Sequence, residues 1–213
     1  MKILILQNRM GIGDMIMFLP FIEAIAKKFK TPVTILAKKN TKVEMYFNNK
    51  EIVEEIMYLE REDNKKHSGV KGFFKLVNEL KLKKFDKVFI FNSSLRYFLI
   101  SKFSGIKEVF QYPLFKKKNQ QIVEAAKEFI LRTIGEDIET TPKLFLRDQD
   151  ILKAKNDHAI DQNIINVILG IGGSGKTKRV PAPIFKKFMS KVLKKSNCRF
   201  CLLYTSPSPR DRG

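Results

Sequence analysis

Short apolar runs alternate with stretches of helical period along most of this chain. That rhythm predicts strands alternating with helices, the mark of a parallel α/β sheet. Residues 2–7 read as a buried first strand, followed by a helix over 14–29 in which Phe18, Ile22, Ile25, Ala26 and Phe29 recur at helical spacing. Pro20 is expected to kink that helix or end a short first turn. A strand over 32–37, a short helix over 40–47 and a weaker strand over 55–59 follow, then a charged, aperiodic loop over 60–69. Val70, Phe73, Phe74, Val77 and Leu80 mark a further helix, and 87–91 the next strand. Asn92-Ser93-Ser94 leads into a helix to about 103. Residues 109–112 form a short final strand, and Ile122, Ala126, Phe129 and Ile130 define a helix ending near Gly135.

After residue 135 the sheet rhythm is lost. A first domain over 1–135, a connection over 136–164 and the start of a second α/β domain over 165–200 are expected, with a strand over 166–169 and a helix over 183–195. Residues 201–213 break the pattern with a Pro/Ser stretch that resembles read-through of a sequencing adapter. We therefore expect a non-native tail and a second domain truncated after its first strand and helix.

The first chemical candidate is the turn after the first strand, Gly11-Ile12-Gly13-Asp14. A glycine turn there usually brings a phosphate to a helix N-terminus. Here Asp14 would repel a pyrophosphate, and Ile16 stands where the dinucleotide fingerprint needs its third small residue. Asp14 suits two roles: a general base for a substrate hydroxyl, or a first-turn capping acid. Asn92 and Ser93, at the carboxyl end of a strand, are minor candidates whose other reading is turn and cap chemistry.

The second candidate is Gly170-Ile171-Gly172-Gly173-Ser174-Gly175-Lys176-Thr177, which matches the P-loop pattern. A nucleotide-binding phosphotransferase is thus the alternative function. Its helix would have to begin at Gly175-Lys176-Thr177, yet Pro181 and Pro183 fall within the first turns of such a helix. A start near 181–183 fits better, because proline is favoured at the first helical position. The longer loop can still hold an anion. Ser174 and Thr177 supply hydroxyls, Gly175 permits close approach, and Lys176, Lys178 and Arg179 supply charge. The bland reading is a Gly-rich surface turn.

Composition narrows the partners. The formal net charge is +19 over 213 residues, which favours anionic partners. Lysine supplies most of it, and no arginine-rich or aromatic-interleaved stripe marks a nucleic-acid surface, so none is expected as a partner. No apolar run approaches the about eighteen residues of a membrane span, and no charged segment precedes an apolar one at the N-terminus. A cytoplasmic protein with reduced cysteines is expected. The Cys198-x-x-Cys201 pair lacks a second half, and His67 and His158 lack ligand spacing, so neither metal nor disulfide is expected.

Together the two motifs resemble glycosyltransferase family 9, the lipopolysaccharide heptosyltransferases. Residues 3–6, Gly11-Ile12-Gly13-Asp14 and Leu19-Pro20 look like its N-terminal signature, and 173–181 like the start of its C-terminal domain, with Val180 in place of an aromatic residue. The resemblance implies a GT-B architecture of two Rossmann-like domains. The first would bind an anionic glycolipid acceptor, with Asp14 as general base beside Gly11 and Gly13. The second would bind a nucleotide-sugar donor, typically ADP-heptose, through Ser174, Gly175, Thr177 and Lys178. It further implies inverting transfer with no cofactor or obligatory metal, and peripheral contact with the inner membrane. The family's later donor-site segment has no counterpart here, so this chain is expected not to turn over donor.

Overall fold

The computed structural model describes residues 1–9, 11–47, 50–113, 121–144, 146–161, 163–172 and 179–203. Five strands form one parallel sheet: β1 (Ile3–Gln7), β2 (Val33–Ala37), β3 (Val53–Tyr58), β4 (Lys87–Ile90) and β5 (Glu108–Gln111), in the order β3-β2-β1-β4-β5. β1 is buried along its whole length, as a central strand covered on both faces must be. Alternation divides its side chains. Ile3 and Ile5 join Phe89 and Phe91 in one core, under α1 (Ile12–Ile16), α2 (Leu19–Phe29) and α5 (Ile122–Ile134). Leu4 and Leu6 join Val88 and Ile90 in the other, under α3 (Gly69–Lys83) and α4 (Leu95–Phe103).

Pro20 acts as its sequence position suggests. It occupies the first turn of α2, where its missing N–H costs nothing, and the stretch read as one helix is split into α1 and α2. The segment read as a helix over 40–47 is instead two 3₁₀ turns, Lys39–Thr41 and Val43–Met45, parted by Lys42 at φ 49°. A left-handed residue there prevents a continuous helix.

The predicted connection holds more structure than its pattern suggests. Residues 136–138 return against the first unit, where Glu136 pairs with Lys28 at 2.7 Å, Asp137 with Lys127 at 2.9 Å, and Ile138 packs on the core. Helix α6 (Asp148–Asp157) follows, and none of its residues is buried. With no apolar stripe it carries no period to detect. Asp148 and Asp150 in its first turn complement the helix dipole, and Arg147 grips Asp150 through two nitrogens at 2.7 and 3.1 Å.

The chain divides into two compact units, residues 1–145 and 146–213. The second contains α6, β6 (Ile165–Gly170), α7 (Ala182–Leu193) and β7 (Cys198–Leu203), with β6 and β7 paired in parallel. β7 runs through Cys201, Leu202 and Leu203, past the boundary drawn at residue 200, because the apolar run continues there. Cys198 is buried and Cys201 exposed, as three residues of strand alternation require.

Candidate functional site

In a parallel sheet of this order, the direction in which successive strands are added reverses between β1 and β4, and in open α/β sheets the loops after such strands are where ligands bind. The loop after β1 carries Gly11, Gly13 and Asp14; the turn after β4 carries Asn92 and Ser93. Asp14 is the third residue of α1 and half-buried. One of its oxygens, Oδ2, accepts the Gly11 N–H at 3.2 Å. The capping reading is therefore part of the truth, since a third-position acid reaching back is half of a capping box. The other oxygen has no hydrogen-bond partner among the described residues. A carboxylate aimed by one oxygen and open at the other meets the geometric needs of a general base.

The two glycines differ. Gly11 has an extended backbone, φ −100° and ψ 153°, which any residue adopts, but a Cβ there would lie 3.1 Å from Asp14 Oδ2. Its smallness protects the carboxylate's position. Gly13 is exposed, and a Cβ would meet nothing within 4 Å. Gly13→Ala is therefore expected to raise stability by roughly 0.5–1 kcal/mol through helix propensity alone. If Gly13 admits a substrate close to the backbone, the same variant will lower transfer; unchanged kinetics would leave it a plain helix residue.

The structure sets Asn92 in a group whose other members the sequence reading missed. Gln7, Asn92, Gln111 and Tyr112 end or follow the adjacent strands β1, β4 and β5, and each buries a polar atom with no partner. Gln7 is wholly buried; its Oε1 accepts the Arg9 N–H at 2.9 Å while Nε2 is unpaired. Asn92 Oδ1 accepts the Ser94 N–H at 2.9 Å, leaving Nδ2 over. The turn chemistry expected of Asn92 is thus present, with a spare donor, while Ser93 is simply exposed. Gln111 Nε2 donates to the Ser94 carbonyl at 2.9 Å and leaves its own Oε1 unpaired. Burial pushes the Tyr112 phenol far above its ordinary range, against an opposing pull from the Arg9 charge. Each unpaired buried group costs about 1–3 kcal/mol, so four along one strand edge call for a cause. Polar residues closing apolar runs, as in residues 3–7 and 108–111, were the available signal.

Beneath this edge lies an aromatic platform. Phe91 meets Phe18 at 5.1 Å, Phe129 at 5.2 Å and Tyr112 at 6.1 Å between ring centroids, all edge to face. Such packing holds the polar crest and α1 in fixed relation. His67 lies elsewhere and has a structural task. Its Nδ1 accepts the Glu60 N–H at 3.1 Å, Nε2 faces Glu79 at 3.2 Å, and Arg96 donates to the His67 and Gly69 carbonyls at 3.0 Å each. Burial would raise the Glu79 carboxyl, but its bonds with Lys66 and His67 leave it below the usual range.

Ser174, Gly175, Thr177 and Lys178 lie outside the described residues, as do Gly173 and Lys176. Their flanks bear on the P-loop alternative. Arg179, Val180 and Pro181 are not helical, and α7 begins at Ala182 with Pro183 in its first turn. No helix runs on from Gly175-Lys176-Thr177 through these residues, which is what a phosphate-cradling P-loop requires. Among the described residues no three His, Cys, Asp or Glu side chains converge as a metal site, and no helix is long and apolar enough to cross a membrane.

The fold is that of GT-B glycosyltransferases: a five-stranded parallel sheet domain, then a second α/β unit. Among solved structures, the glycosyl transferase family 9 protein from Veillonella parvula DSM 2008 superposes with a TM-score of 0.69 at 16% identity, over 99% of this chain and 63% of that one. The E. coli ADP-heptose lps heptosyltransferase II gives 0.68 at 16% identity, over 98% and 65%, and E. coli heptosyltransferase WaaC with ADP gives 0.62 at 14%, over 97% and 69%. This chain thus spans less than two thirds of the first two. No protein-family model and no curated protein matches it.

Proposed function

We propose that this chain contributes the acceptor side, and the beginning of the donor side, of an inverting glycosyltransferase. The donor is a nucleotide-sugar, typically ADP-heptose, and the acceptor the core of an anionic glycolipid such as lipopolysaccharide. The observation that carries the reading is Asp14, held by Gly11 through one oxygen and open at the other, at the switch point of the sheet. The acceptor hydroxyl gives its proton to Asp14 as its oxygen bonds to the anomeric carbon. The bond from that carbon to the diphosphate breaks on the opposite face, and the nucleoside diphosphate departs with the electron pair. Lys178 and the hydroxyls of Ser174 and Thr177 neutralise the leaving phosphates, so no resident metal or cofactor is assigned a role. The spare amides of Gln7, Asn92 and Gln111 suit the hydroxyls of a sugar. The enzyme works at the inner membrane, where such an acceptor is presented.

The test is incubation of the full-length protein with ADP-heptose and a heptose-deficient lipopolysaccharide core. The product is expected to gain one heptose, and Lys178→Ala to raise the donor KM roughly ten- to hundredfold through loss of a charged hydrogen bond. Mg²⁺-dependent ATP hydrolysis that disappears in Lys176→Ala, with no sugar transfer, would replace this reading by the phosphotransferase.

A further inference from the structure

Helices α3 and α4 turn a face to solvent that the chemistry above does not use. Val70, Phe74 and Phe103 are 74%, 57% and 63% exposed on it. Phe73 links the two phenylalanines edge to face, with centroids 5.2 Å from Phe74 and 6.0 Å from Phe103. The result is one aromatic patch across two helices. Helical spacing groups Val70 and Phe74 with Val77 and Leu80, but only Val77 and Leu80, with Leu76, reach the core. Large apolar side chains left together outside a core mark an interaction surface.

The polar surround is predominantly cationic, although Lys83 is taken by Glu55 at 2.6 Å. α3 carries Lys71, Lys75, Lys81 and Lys83, and α4 carries Arg96 and Lys102. Glu79 is the single carboxylate on either helix, and it is taken by Lys66 and His67. Lys71 and Lys75, next to the patch, have no carboxylate partner among the described residues. With Lys65, Lys66 and Val70 they line a groove of about 470 Å³ at the start of α3. The paired lysines of α2 are the contrast, since Lys27 binds Glu23 and Lys28 binds Glu136. Aromatic groups ringed by uncompensated ammonium groups on long stems match an anionic lipid interface. The rings enter the headgroup boundary while the lysines reach to phosphate.

We infer that the α3–α4 face, through Val70, Phe74, Phe103, Lys71 and Lys75, docks this protein on an anionic phospholipid bilayer. The inference extends the peripheral contact proposed above and is independent of the sugar transferred. The test is co-sedimentation of the purified chain with phosphatidylcholine vesicles, with and without phosphatidylglycerol. Binding is expected to be at least about tenfold stronger with phosphatidylglycerol and to weaken with salt. Phe74→Ser with Phe103→Ser, and separately Lys71→Glu with Lys75→Glu, should each reduce it about tenfold or more at an unchanged melting temperature. Lys27→Glu with Lys28→Glu makes the same charge change on the other face of the sheet and should leave most of the binding.

Equal binding to neutral vesicles, or equal loss in the α2 variant, would overturn the assignment and leave only diffuse charge. So would a dimer in sedimentation equilibrium that the two serine substitutions dissolve, because a second copy would then cover the patch. Vesicle binding requires no donor. Vesicle binding by this chain, with no sugar transfer by the full-length protein, upholds this inference and refutes the proposed activity; the converse result does the reverse.

Discussion

Asp14→Asn is expected to lower glycosyl transfer by about two to four orders of magnitude, the usual contribution of a positioned base. Asparagine preserves the shape. Its Oδ1 can accept the Gly11 N–H that Asp14 now receives at 3.2 Å, and α1 keeps its first-turn contact. What is lost is basicity, together with the favourable charge at a helix N-terminus, about 0.3–1 kcal/mol. That corresponds to no more than about 4 °C in a domain of this size. The informative result is therefore the split: kcat falls steeply in the full-length protein while the melting temperature hardly moves. Should the Asn variant turn over at the wild-type rate, Asp14 is a capping residue and the proposed chemistry fails.

The second large effect concerns stability. Gly72→Ala is expected to destabilise the first unit by about 3 kcal/mol or more, lowering its melting temperature by roughly 10 °C. A helix interior normally gains about 1 kcal/mol from this change. Here the added Cβ would lie 2.2 Å from the His67 carbonyl carbon and 2.6 Å from its Cα. Those atoms cannot give way easily. The His67 N–H donates to the Glu60 carbonyl at 2.7 Å, its ring is held by Glu60 and Glu79, and Arg96 caps its own carbonyl. Gly72 is small so that the 60–69 loop can cross the first turns of α3. Urea unfolding of this variant beside Gly13→Ala makes the comparison direct, because the same substitution carries opposite expected signs. A Gly72→Ala protein as stable as its parent would show that the loop does not pack there.

The buried elements were the legible ones. β1, β2 and β4 announce themselves as apolar runs, and Pro20 and Gly135 punctuate helices as their chemistry demands, Gly135 in a left-handed cap. α6 was invisible because it buries nothing, and periodicity reports burial rather than helicity. The exposure of Val70 and Phe74 was hidden for the complementary reason: apolar spacing cannot reveal whether a partner covers the stripe. Of the candidate site, Asp14 and its glycines were readable as a motif. Gln7, Gln111 and Tyr112 carried only the weak signal of polar residues closing apolar runs, which points to no site until neighbouring strands align.

The chain's local order thus settled the kind of fold and the first chemical suspect. Alternation of apolar run and helical period leaves few architectures besides a parallel sheet, and a carboxylate at a strand-to-helix turn is conspicuous in any context. Strand order was beyond its reach, and with it the placing of β1 beside β4 at the reversal. Packing alone selects that order, because both faces of β1 must be covered at once. Only that arrangement brings the loop of Asp14 next to the turn after β4, lines up the unpaired amides, and leaves an aromatic, lysine-ringed face outside.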